Sequence, residues 1–418
     1  MSCVTSPAMT IDELKNEKVG ICVSGGLDSR TIARKLVDAG VELRCFTADL
    51  AQPDEADIND VKAKMAPCGA ETVVVDLRNA MAEACLEIVR AQATYDGGYW
   101  NTTGIARAVT VQGIIPAMQA SGCTVLAHGA TGRGNDQVRF ERYTNVLAPA
   151  MKVYAPWRDP VLLAQFPGRS QMAEYLNGQG ISAFPGGEKK YSTDANLAGL
   201  SHEAEDLESL DTPCTIVTPT MGVWPQDAPD DVEICTVKFE GGRAVELNAK
   251  ALSPLEIMLE ANRIGGRNGI GMKHALENRV IGTKSRGVYE APGMELLGNS
   301  LMFVYQATID RRSWRLFEHL STLVADQVYD GRYFEPATTA ALLGIEELSR
   351  RATGIVTIGL YRGNVQYQRL TDCPHSLYSE ADASMEASDG LNPVSSQGFV
   401  EVQSVEARIM AQRGHIRR

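Results

Sequence analysis

A glycine-rich hexapeptide joins a strand pattern to a helix pattern near the start of the chain. Apolar, β-prone residues predict a buried strand over 18–23, and SGGLDS follows at 24–29. A helical pattern then begins, with Gly40 at the position of a C-cap. Such a turn gathers free backbone N–H groups where the helix dipole favours an anion, and its glycines admit a phosphate. We expect phosphate binding here, with Asp28 or Ser29 capping the helix or helping to hold a phosphate-bound metal. A purely structural turn is the alternative.

A second glycine-rich segment, HGATGRGNDQVRFE at 128–141, follows another strand pattern. It contains three glycines, an amide at Asn135, a carboxylate at Asp136, and guanidinium groups at Arg133 and Arg139. Backbone donors, a carboxylate and guanidinium groups together suit the binding of a zwitterion or a phosphate. A solvated surface loop is the alternative that composition leaves open.

The first 180 residues alternate strand patterns with helix patterns. Strands that are apolar on both faces, separated by helices, predict an α/β fold with a doubly wound parallel sheet. Ligands of such sheets bind beyond the C-terminal ends of the strands, where both glycine-rich segments begin. The predicted strands are 18–23, 41–48, 71–76, 124–127 and 152–156, and the predicted later helices are 54–66, 80–90, 105–120 and 169–177.

The alternation ends near residue 180, which predicts three parts. They are a nucleotide-binding domain at 1–180, an α+β substrate domain at 181–375 and a C-terminal helical arm at 376–418. The arm is too thin to fold alone, so we expect it to pack on another subunit or on the body. The second domain is predicted to begin with a long irregular region that includes Gly186-Gly187, YSTDANL at 191–197 and the acidic stretch 203–211. Strands at 232–239, 244–247, 355–361 and 364–368 and a helix at 253–264 are predicted to follow.

Composition excludes several classes of protein. The net charge of −12 argues against nonspecific nucleic-acid binding, and no run approaches the ~20 apolar residues of a membrane helix. The nine cysteines include no CxxC pair, which is typical of a reducing cytoplasm rather than a disulfide framework or a zinc site. Residues 1–18 are acidic without an apolar core, so we expect no signal peptide. We therefore expect a cytoplasmic protein with small-molecule partners and neither a nucleic-acid nor a membrane partner.

Several stretches together resemble the argininosuccinate synthase family from about residue 18 to the C-terminus. The hexapeptide alone resembles the PP-loop of the N-type ATP pyrophosphatases, which split ATP into AMP and pyrophosphate. The resemblance implies an ATP- and Mg2+-dependent ligase that joins aspartate to citrulline through citrullyl-AMP, in a homotetramer with a protruding C-terminal helix. The matching pieces are SGGLDS (24–29), FTADLAQ (46–52), HGATGRGNDQVRFE (128–141), APWR (155–158), YSTDANL (191–197), LENRVIGTKSRGVYE (276–290) and SLYSEADASM (376–385).

The resemblance also assigns residues to sites, with no protein metal ligand among them. Asp28, Ser29 and Arg139 are implied as catalytic. An acceptor carboxylate would suit Arg139 and an α-ammonium would suit Glu277. The implied ATP site comprises Cys22, Val23, Ser24, Gly25, Gly26, Leu27, Asp28, Ser29, Arg30, Ala48, Ala127, His128, Gly129, Ala130, Thr131, Gly132, Arg133, Gly134 and Asn135. The implied aspartate site comprises Thr131, Asn135 and Asp136. The implied citrulline site comprises Tyr99, Thr103, Gly104, Asn135, Arg139, Ser192, Ser201, Glu277 and Tyr289.

The chain departs from the family's pattern at several positions. The family usually has Ser at Gly104, in the citrulline pocket, so we expect a lost hydroxyl and a small open space there. Two alternatives therefore stay open beside citrulline ligation: the same chemistry on another ureido or carboxyl acceptor in specialised metabolism, and a non-catalytic nucleotide-binding paralogue. The other departures are Val23, Arg30, Ala51, Met272 and His274.

Overall fold

The computed structural model of the chain describes five stretches of residues. They are 9–55, 57–184, 192–203, 205–386 and 390–417. The chain divides into two units, the first ending at Pro374 and the second beginning at His375. No helix in these five stretches is long and apolar enough to cross a membrane.

The N-terminal region forms a parallel sheet. Its strands are β1 (Lys18–Cys22), β2 (Glu42–Asp49), β3 (Thr72–Asp76), β4 (Val125–His128) and β5 (Lys152–Tyr154). Their order is β3-β2-β1-β4-β5, with all pairs parallel. The chain builds outward from β1 on one side and then returns to the other side at β4, so the gap between β1 and β4 is the topological switch point. The predicted doubly wound sheet is confirmed.

Helices cover both faces of this sheet. They are α1 (Leu27–Asp38), α2 (Asp60–Met65), α3 (Arg78–Ala91), α4 (Thr102–Ala120), α5 (Asp136–Leu147), α6 (Pro160–Gln165) and α7 (Arg169–Gly178). Val19 and Ile21 of β1 belong to one apolar core, together with side chains of α1 and α7. Phe46 of β2 belongs to a second core with side chains of α3 and α4.

Two antiparallel sheets follow. The four-stranded sheet contains β6 (Ser192–Asn196), β7 (Gly199–Glu203), β11 (Met272–Asn278) and β12 (Lys284–Glu290). The five-stranded sheet contains β8 (Glu233–Glu240), β9 (Arg243–Leu247), β10 (Lys250–Ala251), β13 (Gly354–Tyr361) and β14 (Asn364–Thr371). The strand orders are β11-β12-β7-β6 in the first and β10-β9-β8-β13-β14 in the second.

The remaining helices belong to two groups. Those of the first unit are α8 (Pro254–Arg267), α9 (Pro292–Thr308), α10 (Arg311–Tyr329) and α11 (Pro336–Ser349). The second unit contains α12 (Glu380–Ala383) and α13 (Ser395–Gln412). Every residue of α13 is at least partly exposed, including the apolar side chains of Phe399, Val402, Val405 and Ile409.

Three local predictions were wrong. The region 192–203 is a regular hairpin of β6 and β7 rather than irregular chain, while Gly186, Gly187 and Tyr191 lie outside the described residues. The helix predicted from residue 54 begins only at Asp60. No side chain caps α1, whose N-cap is Gly26, so the capping role expected of Asp28 or Ser29 is absent from this helix.

Arg30 connects the start of α1 to the chain that follows α7. Its guanidinium donates to the carbonyls of Ser182 (2.6 Å) and Ala183 (2.5 Å), and its Nε donates to the carbonyl of Gly26 (3.3 Å). The residue is only 3% exposed, and burial lowers the pKa of the guanidinium. Arg30, where the family usually has a small residue, therefore stabilises the chain next to the glycine-rich turn.

We predict that Arg30→Met lowers the free energy of unfolding by roughly 2–4 kcal/mol, because one buried and one partly buried carbonyl lose charged donors. The matched control is Arg34→Met, one turn further along α1, where the guanidinium pairs with Asp38 at a part-exposed position. That change should cost about 1 kcal/mol or less. Urea unfolding of both variants measures the difference, and equal losses would contradict the assignment.

Candidate active site

The two glycine-rich segments emerge side by side at the switch point of the parallel sheet. Cys22, the last residue of β1, pairs with His128, the last residue of β4. Ala48 lies near the end of β2, on the other side of β1. The residues implied for the ATP site thus lie along one edge of the sheet, at the C-terminal ends of three neighbouring strands.

The first segment leaves the N-terminus of α1 free of side-chain caps. Gly25 has a φ of +73°, a conformation that glycine adopts without strain, and Ser24 and Gly26 are exposed. The Ser29 hydroxyl donates to the carbonyl of Gly26 (3.2 Å) rather than capping an N–H. No side chain in the described parts of the chain accepts from the N–H groups of the first helical turn, which suits them to a phosphate.

Asp28 lies at the same helix start. Burial raises the pKa of its carboxyl, against the nearby charge of Arg169, and the carboxylate forms no ion pair within the described residues. No group of three or more His, Cys, Asp and Glu side chains in those residues is arranged to hold a metal ion.

One face of the four-stranded sheet carries the substrate-site candidates. Ser201 pairs with Tyr289 on one side and with Asp194 on the other, so these three side chains share a face. Glu277 lies on the same face of β11, because Lys273, four residues earlier, pairs with Tyr289. We call this surface, formed by Asp194, Ser201, Glu203, Glu277 and Tyr289, the polar face. The side chain of Ser192 lies outside the described residues, and its backbone pairs with Glu203.

At one end of the polar face, Glu277 has an unused carboxylate oxygen. Tyr289 donates to its Oε1 (2.6 Å), and the nearby Tyr329 hydroxyl also interacts with this carboxylate. Its Oε2 is buried, and no hydrogen bond of good geometry reaches it within the described residues. Tyr99 packs its ring against Tyr289 at 4.3 Å, and its hydroxyl accepts from the backbone N–H of Thr103 (2.9 Å). Since an unpaired buried carboxylate oxygen is costly, this end of the site suits a cationic ligand.

Four charged side chains bridge the polar face to the start of α5. Arg107 of α4 donates to Asp136 (2.9 Å) through Nε and to Asp194 (2.7 Å) through Nη2. Arg139 donates to the other oxygen of Asp136 (3.0 Å). Burial raises the pKa of Asp136, but the charges of Arg107 and Arg139 outweigh it and hold that pKa below its usual value. We call Arg107, Asp136, Arg139 and Asp194 the ionic bridge.

Arg139 retains free donor capacity. Its Nε donates to the backbone carbonyl of Tyr329 (2.9 Å), and its guanidinium lies over the Tyr329 ring at 5.0 Å. Its Nη2 makes no hydrogen bond within the described residues. The guanidinium is therefore fixed in place and can still bind a carboxylate.

Asn135 ties the second glycine-rich segment to two other elements. Its amide nitrogen donates to the Tyr329 hydroxyl (2.9 Å), and its oxygen accepts from the backbone N–H of Val280 (3.0 Å). The Tyr329 ring stacks on Tyr95 at 3.7 Å. This segment is thereby held against the turn that follows β11 and against the end of α10.

Glu203 is a second carboxylate near Glu277. Burial and the charge of Glu277 raise its pKa to about 7, although Arg279, 3.3 Å away, acts in the opposite direction. A carboxyl with that pKa exchanges protons readily at neutral pH. Arg279 also donates to the carbonyl of Arg133 (3.3 Å), which connects this corner to the second glycine-rich segment.

The open space expected at Gly104 is absent. A Cβ on Gly104 would lie 3.0 Å from the carbonyl oxygen of Val328 and 3.3 Å from its Cγ1, so α10 already fills that side of α4. Gly104 is buried in the first turn of α4, next to Thr103. The missing hydroxymethyl group therefore reflects close helix packing and does not enlarge a pocket.

The structure brings most of the expected residues together and adds others. Thr131 is exposed in the second glycine-rich segment. The residues that sequence reasoning missed are Arg107, Asp194, Glu203 and Tyr329. Asp194 lies inside the matched stretch YSTDANL and Arg107 one turn beyond Thr103, so both had a local signal, whereas Tyr329 joins the site only through the packing of α10.

His128 is a fully buried neutral histidine between the sheet and α5. Its ring stacks on Phe140 at 5.1 Å, and its Nδ1 accepts from the backbone N–H of Ala130 (3.3 Å). Burial, followed by the charge of Arg158, lowers its pKa to about 4. The Nε2 atom is buried without a partner in the described residues.

Comparisons with known proteins give one result across the chain. The family model described as the arginosuccinate synthase N-terminal HUP domain matches residues 18–182. The model described as the arginosuccinate synthase C-terminal domain matches residues 191–410. A curated relative, the argininosuccinate synthase of Rhodopirellula baltica, is 39% identical over 392 residues, which is 93% of this chain and 96% of the relative.

We predict that His128 makes the protein sensitive to acid. The unfolded chain binds a proton near the ordinary pKa of 6.5, whereas the folded protein stays neutral there down to about pH 4. Stability should therefore fall as the pH falls between these values, by about 2 kcal/mol from pH 7 to pH 5. Denaturant unfolding across this range should show a flatter profile for His128→Gln than for wild type. The exposed His375→Gln serves as the control, and parallel profiles for wild type and His128→Gln would contradict the account.

Proposed function

The chain belongs to the argininosuccinate synthase family, and from this premise we propose that it joins L-aspartate to the ureido carbon of L-citrulline. Membership makes it an ATP-using, AMP-forming carbon–nitrogen ligase that acts on small molecules. The products would be argininosuccinate, AMP and pyrophosphate.

The observation that carries the proposal is a pair of unused groups in the acceptor site. Within the part of the chain that the structure describes, a buried carboxylate oxygen of Glu277 and one guanidinium nitrogen of Arg139 have no hydrogen-bond partner. An α-amino acid presents an ammonium and a carboxylate, which these two groups complement. The hydroxyls of Ser201 and Tyr289 on the polar face would orient the bound acceptor.

ATP would bind at the switch point of the parallel sheet. The uncapped start of α1 and the positive φ at Gly25 form a phosphate cradle, and the second glycine-rich segment lies beside it. Mg2+ would neutralise phosphate charge during displacement, with Asp28 as the neighbouring carboxylate. Asp28 and Ser29 at this helix start are the residues we propose to act on the phosphates.

The reaction would follow two steps. The ureido oxygen of citrulline attacks the α-phosphorus, pyrophosphate leaves, and the ureido carbon becomes activated as an adenylate. The aspartate amine, held by Asp136 with Asn135 and Thr131, then attacks that carbon and AMP leaves. Glu203, with its pKa of about 7, is the carboxylate we propose to receive the ammonium proton. Most of the rate would come from positioning and electrostatics.

Citrulline is the acceptor that the pocket favours over another ureido or carboxyl acid. Val328 lies against Gly104, so the lost hydroxymethyl group opens no space there for a larger acceptor. The positions of Tyr99, Arg139 and Glu277 support the same choice. The intact cradle and the unused Glu277 oxygen also argue against a non-catalytic paralogue.

We also propose a cytoplasmic homotetramer. The buried thiols of Cys45, Cys85 and Cys235 are free, which accords with a reducing compartment. Within the second unit, α13 exposes four apolar side chains on successive turns, which suits contact with another subunit.

The direct test of the proposal is to identify the nucleotide product. With aspartate and citrulline present, ATP should be cleaved between its α- and β-phosphates, giving AMP and pyrophosphate in equal amounts. In parallel reactions, each member of a panel of other ureido acids replaces citrulline. Release of ADP and orthophosphate would refute the proposed chemistry, and turnover with another acid but none with citrulline would identify a different acceptor.

Two matched variants should separate the two amino-acid sites. Glu277→Gln should raise the KM for citrulline about 10-fold or more, because a charge-assisted hydrogen bond worth roughly 1.5–3 kcal/mol is lost. Asp136→Asn should raise the KM for aspartate by a similar factor for the same reason. Each variant should change the KM of the other amino acid far less. Steady-state kinetics with each substrate varied in turn checks this, and equal effects on both would contradict the site assignment.

A further inference from the structure

Arg107 contacts several walls of the proposed active site and has no assigned role. It lies on α4, and it joins Asp136, at the start of α5, to Asp194 on the polar face. Its guanidinium also lies 5.9 Å from the centre of the Phe140 ring. Its charge acts on Cys22 at the end of β1, where burial raises the thiol pKa to about 12 and Arg107 opposes that rise.

The ionic bridge holds its members firmly while leaving donor and acceptor capacity free. The Arg107 side chain is 18% exposed, and its Nη1 makes no hydrogen bond within the described residues. Each oxygen of Asp136 accepts one N–H, from Arg107 and from Arg139, so each keeps a second lone pair. Asp136 can therefore bind an ammonium without breaking its bonds to either arginine.

We propose that Arg107 is a positioning residue for the amine donor. By holding Asp136 and Asp194 on a single guanidinium, it fixes the separation between the aspartate site and the polar face that binds the acceptor. The inference rests on the proposed function, since it concerns the approach of the aspartate amine to the activated ureido carbon.

The geometry requires an arginine at this position. Two carboxylates, one at the start of α5 and one on the four-stranded sheet, bind two different nitrogens of one planar fork, which fixes their directions as well as their distance. A lysine ammonium keeps the positive charge but is a single point with no fixed direction. A misplacement of about 1 Å at a reacting centre can lower the rate 100-fold.

The test compares Arg107→Lys, Asp194→Asn and the double variant by kinetics with aspartate and citrulline varied in turn. Arg107→Lys should lower kcat/KM for aspartate about 10- to 100-fold and change the KM for citrulline less than about 3-fold. Asp194→Asn should act in the same direction more weakly, because Arg107 keeps its bond to Asp136. The double variant should be little worse than Arg107→Lys alone, since both changes break one device.

Arg44→Lys is the matched control. Arg44 lies in the N-terminal half of β2, at the opposite end of that strand from the proposed site, and it also forms an ion pair, with Glu71 (2.5 Å). This change should leave kcat/KM for aspartate and the KM for citrulline near their wild-type values. Equal losses for aspartate and citrulline, independent effects in the double variant, or an unchanged Arg107→Lys enzyme would overturn the inference. If a variant is too unstable for turnover, aspartate binding measured by calorimetry with a non-hydrolysable ATP analogue replaces the kinetics, and unweakened binding would overturn it. A wild-type enzyme that forms no AMP would instead refute the proposed function and this inference with it.

Discussion

The architecture of the site depends on one partly buried network of ion pairs that joins helix α5 to the four-stranded sheet. Arg107 binds one carboxylate at the start of α5 and another on the four-stranded sheet, and Arg139 balances the first. Buried charges are tolerated only when they are paired, and removing one partner is costly. Two guanidinium groups and two carboxylates sum to zero, so the network satisfies this constraint while it fixes distances. Its contribution is to geometry more than to net stability.

Successive side chains of a β-strand point to opposite faces of a sheet. The four-stranded sheet can therefore present polar side chains to the site on one face and pack against the protein with the other. In β12, Tyr289 faces the site, while Glu290, the next residue, points to the reverse face. There it lies 2.7 Å from His202 and accepts from the backbone N–H groups of Thr220 and Met221 (2.8 and 2.7 Å). These bonds attach the reverse face to the loop that contains Thr220 and Met221. The polar face is left free for the proposed substrate.

Sequence reasoning located the parallel sheet and both glycine-rich segments because strands buried on both faces give a strong local signal. It missed the hairpin at 192–203 for the converse reason. The inward side of β6 bears Asp194 and Asn196, so the apolar alternation that identifies a strand is absent where the strand faces a polar site. Tyr329 reaches the site through the packing of α10, and the tight contact of Gly104 with Val328 is likewise tertiary. Neither can be deduced from local pattern.

The central claim is that the unused Glu277 oxygen and the free nitrogen of Arg139 together bind the ammonium and the carboxylate of an α-amino acid beside the switch point. A crystal structure with citrulline and a non-hydrolysable ATP analogue tests it most directly. The account predicts the citrulline ammonium within hydrogen-bond distance of Glu277 Oε2, its carboxylate on Arg139, and its ureido oxygen directed towards the α-phosphate. Citrulline bound in the reverse orientation, or away from the polar face, would contradict it.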